Sequence, residues 1–173
     1  HLMDPHYPYD SVTKTGATKE RFMKEVEQID KAIGELEQAI DDHGVRDRTV
    51  LIVVADHGEG FGQHGARYHT VNLYEEAIRV PMWISGPGIK PRKVTEPTTL
   101  VDLGPTILDL FGQKTPGRVL AESLVPHLKG ENPELTRPIA AERQGTRTLV
   151  FDDMKVIIDE QNGREEIYDL SKD

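Results

Sequence analysis

An acidic residue and three histidines occur close together in the stretch from Asp56 to His69. Asp56 and His57 are adjacent, and His64 and His69 follow within a glycine-rich loop. A carboxylate oxygen and an imidazole nitrogen are ligands that suit a divalent cation. The pair therefore predicts a metal site, and the alternative is that Asp-His-Gly only caps a turn after a strand.

The apolar run before this pair predicts the element that positions it. The residues from Val50 to Val54 are apolar without alternation and lead directly into Ala55 and Asp56. Such a short run, bounded by Asp, His and Gly, indicates a parallel strand that is buried on both faces. Because ligands gather beyond the carboxyl ends of parallel strands, Asp56 and His57 would leave the sheet where chemistry is usually done.

A long amphipathic helix precedes the strand. Thr18 is a suitable N-cap and Gly44 a suitable residue just past the C-terminus. Gly34, in mid-helix, costs about 1 kcal/mol against alanine and suggests a close approach to a neighbouring element. One apolar stripe with steps of four and three residues follows the helix, which we expect to pack on the sheet: Phe22, Val26, Ile29, Ile33, Leu36 and Ile40.

Three further elements are expected after the histidine loop. Residues 71–78 predict a short helix, and residues 80–85 a second apolar strand closed by Gly86-Pro87-Gly88. Residues 102–111 predict a helix with Pro105 in its first turn and Gly112 just past its end.

The C-terminal part alternates in the manner of antiparallel strands. Asp152-Asp153 and Asn162-Gly163 stand at the two predicted reversals, and Asn-Gly is a strong hairpin signal. The sequence therefore predicts a small antiparallel sheet that begins around residue 137, distinct from the parallel part.

Composition excludes several classes of protein. The chain has 173 residues, which is enough for one domain with a sizeable core. Its formal net charge of −9 disfavours nonspecific binding to nucleic acid. No apolar run approaches the roughly 18 residues of a membrane span. The absence of cysteine excludes disulfides, a thiolate nucleophile and a zinc–thiolate site within this sequence.

Seven pieces in order carry a family resemblance. They are HLMDPHYPY, the long amphipathic helix, TVLIVVADHGEGFGQHG, LYEEAIRVPMWISGPG, TLVDLGPTILDLFG, RVLAESLVPHLKG and REEIYDLSKD. Together they resemble the second half of a sulfatase and, more broadly, the sulfatase and phosphonate monoester hydrolase branch of the alkaline phosphatase superfamily. The implied fold is α/β, a partial alkaline-phosphatase-like sandwich with a mainly parallel sheet flanked by helices. Residues 1–136 would belong to the catalytic domain and residues 137–173 to a truncated antiparallel subdomain.

The resemblance implies a role for each candidate residue. Asp56 and His57 match the late pair of metal ligands, and His6 matches a histidine that contacts the ester oxyanion or the leaving group. His69 stands where many relatives carry a lysine that binds the transferred oxygens. His64 is a weaker candidate, expected more often to organise its loop than to take part directly.

The implied cofactor is one divalent metal ion. Calcium is expected if the protein is a sulfatase, whereas the nitrogen of His57 also admits manganese or zinc. The implied substrate is a small-molecule sulfate or phosphate or phosphonate ester, and nucleic acid is not an expected partner.

The family places its nucleophile and its first metal-binding acids before the HLMDPHYPY region. We therefore expect this sequence to be a fragment of the hydrolase, inactive by itself, that self-associates or pairs with a missing N-terminal half. The alternative is a noncatalytic binding or assembly module derived from the same fold.

Overall fold

The computed structural model describes residues 1–65, 72–117, 120–133 and 137–172. The fold is α/β, and its strands form two antiparallel sheets. The helices are α1 (Thr18–Asp42), α2 (Glu75–Ile78), α3 (Leu103–Leu110) and α4 (Val125–Leu128). The strands are β1 (Leu51–Val54), β2 (Met82–Ser85), β3 (Ile139–Arg143), β4 (Thr146–Phe151), β5 (Met154–Asp159) and β6 (Arg164–Asp169).

The predicted long helix is present as α1. Its N-cap is Ala17 rather than Thr18, because the Glu20 carboxylate accepts the Ala17 amide hydrogen at 3.1 Å. Gly44 follows the helix with a φ of 61°, as expected for a left-handed residue past a C-terminus. The close approach expected at Gly34 is wrong for the part of the chain that the structure describes, since a Cβ there would meet none of its atoms within 4 Å.

The stripe of α1 is only partly covered. Ile40 is buried, whereas Leu36 is 49% exposed and the other four apolar residues of the stripe are half-buried. The best-buried side chain on this helix is instead the carboxylate of Glu25, at 1% exposure. The Glu25 carboxylate can be buried because it accepts hydrogen bonds from the loop that contains His6 and Ser11.

The strand predicted before Asp56 is present as β1, and its observed partner is antiparallel. Ile52 of β1 pairs with Ile84 of β2, and Val53 pairs with Trp83. Val54 is 36% exposed and Trp83 is 44% exposed, so β1 and β2 are not covered on both faces. The strands described here contain no parallel pair, and parallel neighbours for β1 stay a prediction.

The C-terminal antiparallel sheet confirms the predicted meander. Its strand order is β3-β4-β5-β6, and its reversals include Asp152 and Gly163, with φ of 51° and 71°. Alternate residues of β4 and β5 lie buried on one face of the sheet: Thr148, Val150, Lys155 and Ile157. The division of the chain at residue 136 into two domains stays a prediction.

A buried carboxylate joins α3 to its neighbours. Asp102, at 1% exposure, accepts the amide hydrogens of Thr99 at 3.0 Å and Glu122 at 2.9 Å. It also accepts a hydrogen bond from the guanidinium of Arg137, which leads into β3. Asp102 therefore ties the start of α3 to the segment before α4 and to the C-terminal sheet.

The helices of the described residues are all too short or too polar to cross a membrane.

Candidate functional site

Two carboxylates fix the N-terminal loop that carries His6. Glu25 of α1 accepts the amide hydrogen of His6 at 3.2 Å and that of Ser11 at 3.0 Å. Tyr9, at 1% exposure, donates its hydroxyl hydrogen to Glu59. Since Glu59 lies two residues after His57, the Tyr9 hydroxyl joins the His6 loop to the loop of the candidate metal ligands.

An aromatic cluster supports the same junction. The Tyr9 ring packs edge-on against Phe22 of α1 at 5.6 Å, and it lies 6.4 Å from Phe61. Phe22 and Phe61 are themselves 5.0 Å apart in an edge-on arrangement. Aromatic pairs at these separations contribute about 0.5–1.5 kcal/mol each beyond the area they bury. The cluster therefore holds α1, the His6 loop and the loop after β1 together.

Asp56 and His57 bring the two atoms that could bind a metal ion close together. His57 Nδ1 donates to the Gly58 carbonyl at 3.0 Å, which leaves the ring lone pair on Nε2 in the neutral imidazole. That Nε2 lies 3.9 Å from Asp56 Oδ1. Side-chain exposures of 82% for Asp56 and 46% for His57 leave both open to solvent.

The backbone after His57 is pinned to α2. The Gly58 amide donates to the Ala77 carbonyl at 2.8 Å. A Cβ at Gly58 would lie 2.1 Å from the Glu76 carbonyl oxygen, so only glycine permits this approach. The direction in which the chain leaves Asp56 and His57 is therefore set by α2.

His64 is held by α2 as well. Its Nδ1 donates to Glu76 Oε1 at 3.0 Å, and its ring is stacked on Tyr74 with centroids 3.8 Å apart and planes 15° apart. The residue has a left-handed backbone, with a φ of 48°. These contacts suit a residue that organises the loop.

Glu166 of β6 anchors the Tyr74 ring. The Tyr74 hydroxyl donates to Glu166 at 2.8 Å, and the Tyr168 hydroxyl donates to the same carboxylate. These hydrogen bonds, that of Tyr168 first, hold the pKa of Glu166 below its usual range. The carboxylate correspondingly raises the pKa of Tyr168. Burial, followed by the Glu166 hydrogen bond, raises the pKa of Tyr74.

The candidate residues do not all line one cleft. Asp56 and His57 lie in a wide cleft of about 1370 Å³, whereas His64 lines a smaller one of about 380 Å³. The two clefts share Asn72 and Leu73, and His6 borders neither of them. His69 lies outside the described residues.

The pair after β1 fits part of a cation site. Its donors are a carboxylate oxygen and an imidazole nitrogen, and each ligand of a common divalent ion lies about 2.0–2.6 Å from it. A separation of 3.9 Å is within twice that distance, so both atoms can contact one ion. In the part of the chain that the structure describes, no group of three or more His, Cys, Asp or Glu side chains forms a metal cluster.

Sequence reasoning missed the residues that hold the loops. Glu59 and Tyr9 connect two candidate segments, and Glu166 and Tyr74 connect a third segment to the C-terminal sheet. Nothing in the local pattern distinguishes Glu166 from the neighbouring Glu165, because the partner of Glu166 is 92 residues away. Only the fold brings them together.

The chain is similar to known proteins in sequence and in fold. Delta 4,5-hexuronate-2-O-sulfatase of Bacteroides thetaiotaomicron is 29% identical over 168 residues, which cover 88% of this chain and 34% of that protein. Choline-sulfatase of Rhizobium meliloti is 30% identical over 153 residues, which cover 80% of this chain and 29% of that protein. The solved phosphonate monoester hydrolase of Silicibacter pomeroyi has a TM-score of 0.80 at 26% identity, with 89% of this chain and 35% of that chain covered.

The match therefore spans about a third of the length of each of these two curated relatives. The family model described as Sulfatase matches residues 1–113, which is more than half of the 173 residues. The protein belongs to the sulfatase family.

Proposed function

We propose that this chain is the C-terminal part of a metal-dependent hydrolase of sulfuric, phosphoric or phosphonic esters. The observation that carries the proposal is the position of Asp56 Oδ1 and His57 Nε2, 3.9 Å apart directly after β1 in a sulfatase-family chain. Sulfatases generally use a divalent cation, and these two donors suit one.

Asp56 and His57 would hold the cation. The carboxylate of Asp56 supplies charge, and the Gly58 carbonyl fixes the His57 ring so that Nε2 is the ligand atom. When held there, a cation would supply Lewis-acid chemistry toward the negative charge of the ester. Calcium is the expected ion for sulfate esters, and the imidazole nitrogen also suits manganese or zinc.

His6 and His69 would act on the ester oxygens. His6 donates its Nδ1 hydrogen to the Tyr7 carbonyl at 2.8 Å, so Nε2 is the atom at which it exchanges a proton with the leaving oxygen. His69 would bind the transferred oxygens. His64, stacked on Tyr74 and bonded to Glu76, would maintain the loop between these residues.

The 173-residue segment is expected to turn over nothing by itself. Asp56 and His57 would hold the cation, and His6 and His69 would bind the ester and exchange a proton with it. None of these side chains is proposed to attack sulfur or phosphorus. Relatives of both kinds, sulfatases and a phosphonate monoester hydrolase, support either ester as the substrate.

The test is an assay of the longer protein that contains this segment, on an aryl sulfate and a phosphonate monoester with calcium, manganese or zinc. Asp56→Ala and His57→Ala should each abolish turnover, because each removes a ligand donor. His6→Ala should lower kcat by about 10²–10³-fold, the usual effect of losing one oxyanion contact.

Matched controls are Asp30→Ala and His43→Ala, which change the same residue types on exposed positions of α1 and at its end. Both should leave turnover unchanged. Wild-type rates in Asp56→Ala or His57→Ala would contradict the metal assignment, and inactivity of the wild type on every ester would contradict the hydrolase.

A further inference from the structure

The segment Tyr74–Ala77, which we name the α2 junction, holds together parts of the chain that are distant in sequence. The Ala77 carbonyl accepts the Gly58 amide hydrogen at 2.8 Å. The Glu76 carboxylate accepts the Nδ1 hydrogen of His64 at 3.0 Å. The loop of the candidate metal ligands and the loop that carries His64 are therefore both hydrogen-bonded to this one segment.

The C-terminal sheet binds the same segment through β5. Lys155 Nζ donates to Glu75 Oε1 at 2.7 Å, and Lys155 is 1% exposed. Lysine is almost never buried to this degree unless its charge is paired. The pair offsets the cost of burying the ammonium group, whereas the Glu75 side chain stays 38% exposed. The effect of the pair is geometric, since it fixes Glu75 at one distance from β5.

A second contact, from β6, reaches the neighbouring residue. Glu166 accepts hydrogen bonds from the Tyr74 hydroxyl at 3.0 Å and 2.8 Å, while Arg164 Nε lies 2.9 Å from the same carboxylate. The Tyr74 ring in turn carries the stacked imidazole of His64. Movement of Glu166 would therefore move Tyr74 and, with it, His64.

We propose that Glu166 and Lys155 are positioning residues, which act through Tyr74 and Glu75 to fix the α2 junction. Because Ala77 holds Gly58, they also fix the loop of the candidate metal ligands. Neither residue would contact substrate. The consequence for catalysis rests on the proposed function, whereas the geometric coupling does not.

The test uses the isotopically labelled chain and three variants: Tyr74→Phe, Glu166→Gln and Lys155→Met. Tyr74→Phe and Lys155→Met each remove a contact at the junction, Glu166→Gln weakens one by removing its charge, and all three nearly preserve side-chain volume. Amide hydrogen exchange at Gly58 should become about tenfold faster, because opening of the junction releases its hydrogen bond. The His64 ring resonances should move toward those of an unstacked histidine.

The control is Glu165→Gln, which makes the same charge change on the adjacent, exposed residue of β6. It should leave Gly58 and His64 unchanged. Exchange at amides that open only on global unfolding, measured in the same samples, separates a local effect from general destabilisation. The proposal is overturned if Gly58 exchange is unchanged in all three variants, or if it rises only as much as global exchange does.

Activity of the longer protein provides an independent readout. There, Glu166→Gln should lower kcat several-fold more than it changes KM, whereas Glu165→Gln should change neither. An unchanged kcat alongside faster Gly58 exchange would overturn the catalytic consequence. If the wild type hydrolyses none of the esters, the proposed function fails, and the exchange experiment still decides the coupling.

Discussion

The described candidate histidines share one hydrogen-bond pattern. His6 and His57 donate Nδ1 hydrogens to the carbonyl of the following residue, and His64 donates its Nδ1 hydrogen to a carboxylate. Each ring is thereby held in one orientation by its Nδ1 hydrogen bond. The surroundings of the rings differ, since Asp56 lies near His57 and the Tyr74 ring is stacked on His64.

Alanine substitutions at two glycines should have opposite effects on stability. Gly58→Ala should destabilise the loop after β1, because the new Cβ would lie 2.1 Å from the Glu76 carbonyl oxygen. Gly34→Ala in α1 should raise the free energy of unfolding by about 1 kcal/mol, because helix propensity improves and the Cβ meets no described residue within 4 Å. Urea unfolding of both variants checks this. Equal changes of the same sign would contradict the packing at one of the two sites.

α3 and α4 depend on one buried carboxylate. Asp102 accepts the amide hydrogens of Thr99 and Glu122 and a hydrogen bond from the guanidinium of Arg137. The Arg137 side chain is 13% exposed. Thr106 donates to the Asp102 carbonyl at 2.6 Å and accepts the Leu124 amide hydrogen at 2.8 Å. Thr106 is accordingly fully buried, whereas Phe111, just past the end of α3, is 78% exposed.

Asp102→Ala should lower the free energy of unfolding by about 3 kcal/mol or more, because it leaves a largely buried arginine without this partner. Asp109→Ala is the matched control on the same helix. Within the described ranges its carboxylate accepts one exposed hydrogen bond, from Ser123, so the loss should stay within about 1 kcal/mol. Denaturant unfolding measures both, and equal losses would mean that the Asp102 network contributes no special stability.

The stability of the whole chain should depend on pH through the cluster around Glu166. Its pKa is lowered in the folded protein, so its contribution is complete above the ordinary value of about 4.5 and is lost as the pH falls through the lowered value. Tyr168 behaves oppositely: its raised pKa gives a contribution that is complete below about pH 10 and lost at higher pH.

Glu166→Gln should therefore reduce the difference in unfolding free energy between pH 7 and pH 3. Glu165→Gln should leave that difference close to wild type. Chemical denaturation at pH 7 and pH 3 measures the unfolding free energy of each variant. A wild-type difference in Glu166→Gln would show that the carboxylate is not coupled to folding.

The sequence predicted the fold where short-range pattern determines it. The stripe and the terminal glycine predicted α1, and the apolar run and the Asn162-Gly163 turn predicted β1 and the meander. Burial was harder to predict, because it depends on which surfaces meet. Lys155 and Glu166 look like ordinary surface charges of a β-strand until the fold places Glu75 and Tyr74 opposite them. The candidate ligands could be named from their types, whereas the residues that orient them could not.

The α2 junction also has an evolutionary consequence. Gly58 and His64 are held by Ala77 and Glu76, and Tyr74 and Glu75 are held by the C-terminal sheet. A substitution at Lys155 or Glu166 removes a partner of Glu75 or Tyr74, so we expect these positions to change together in relatives of this protein.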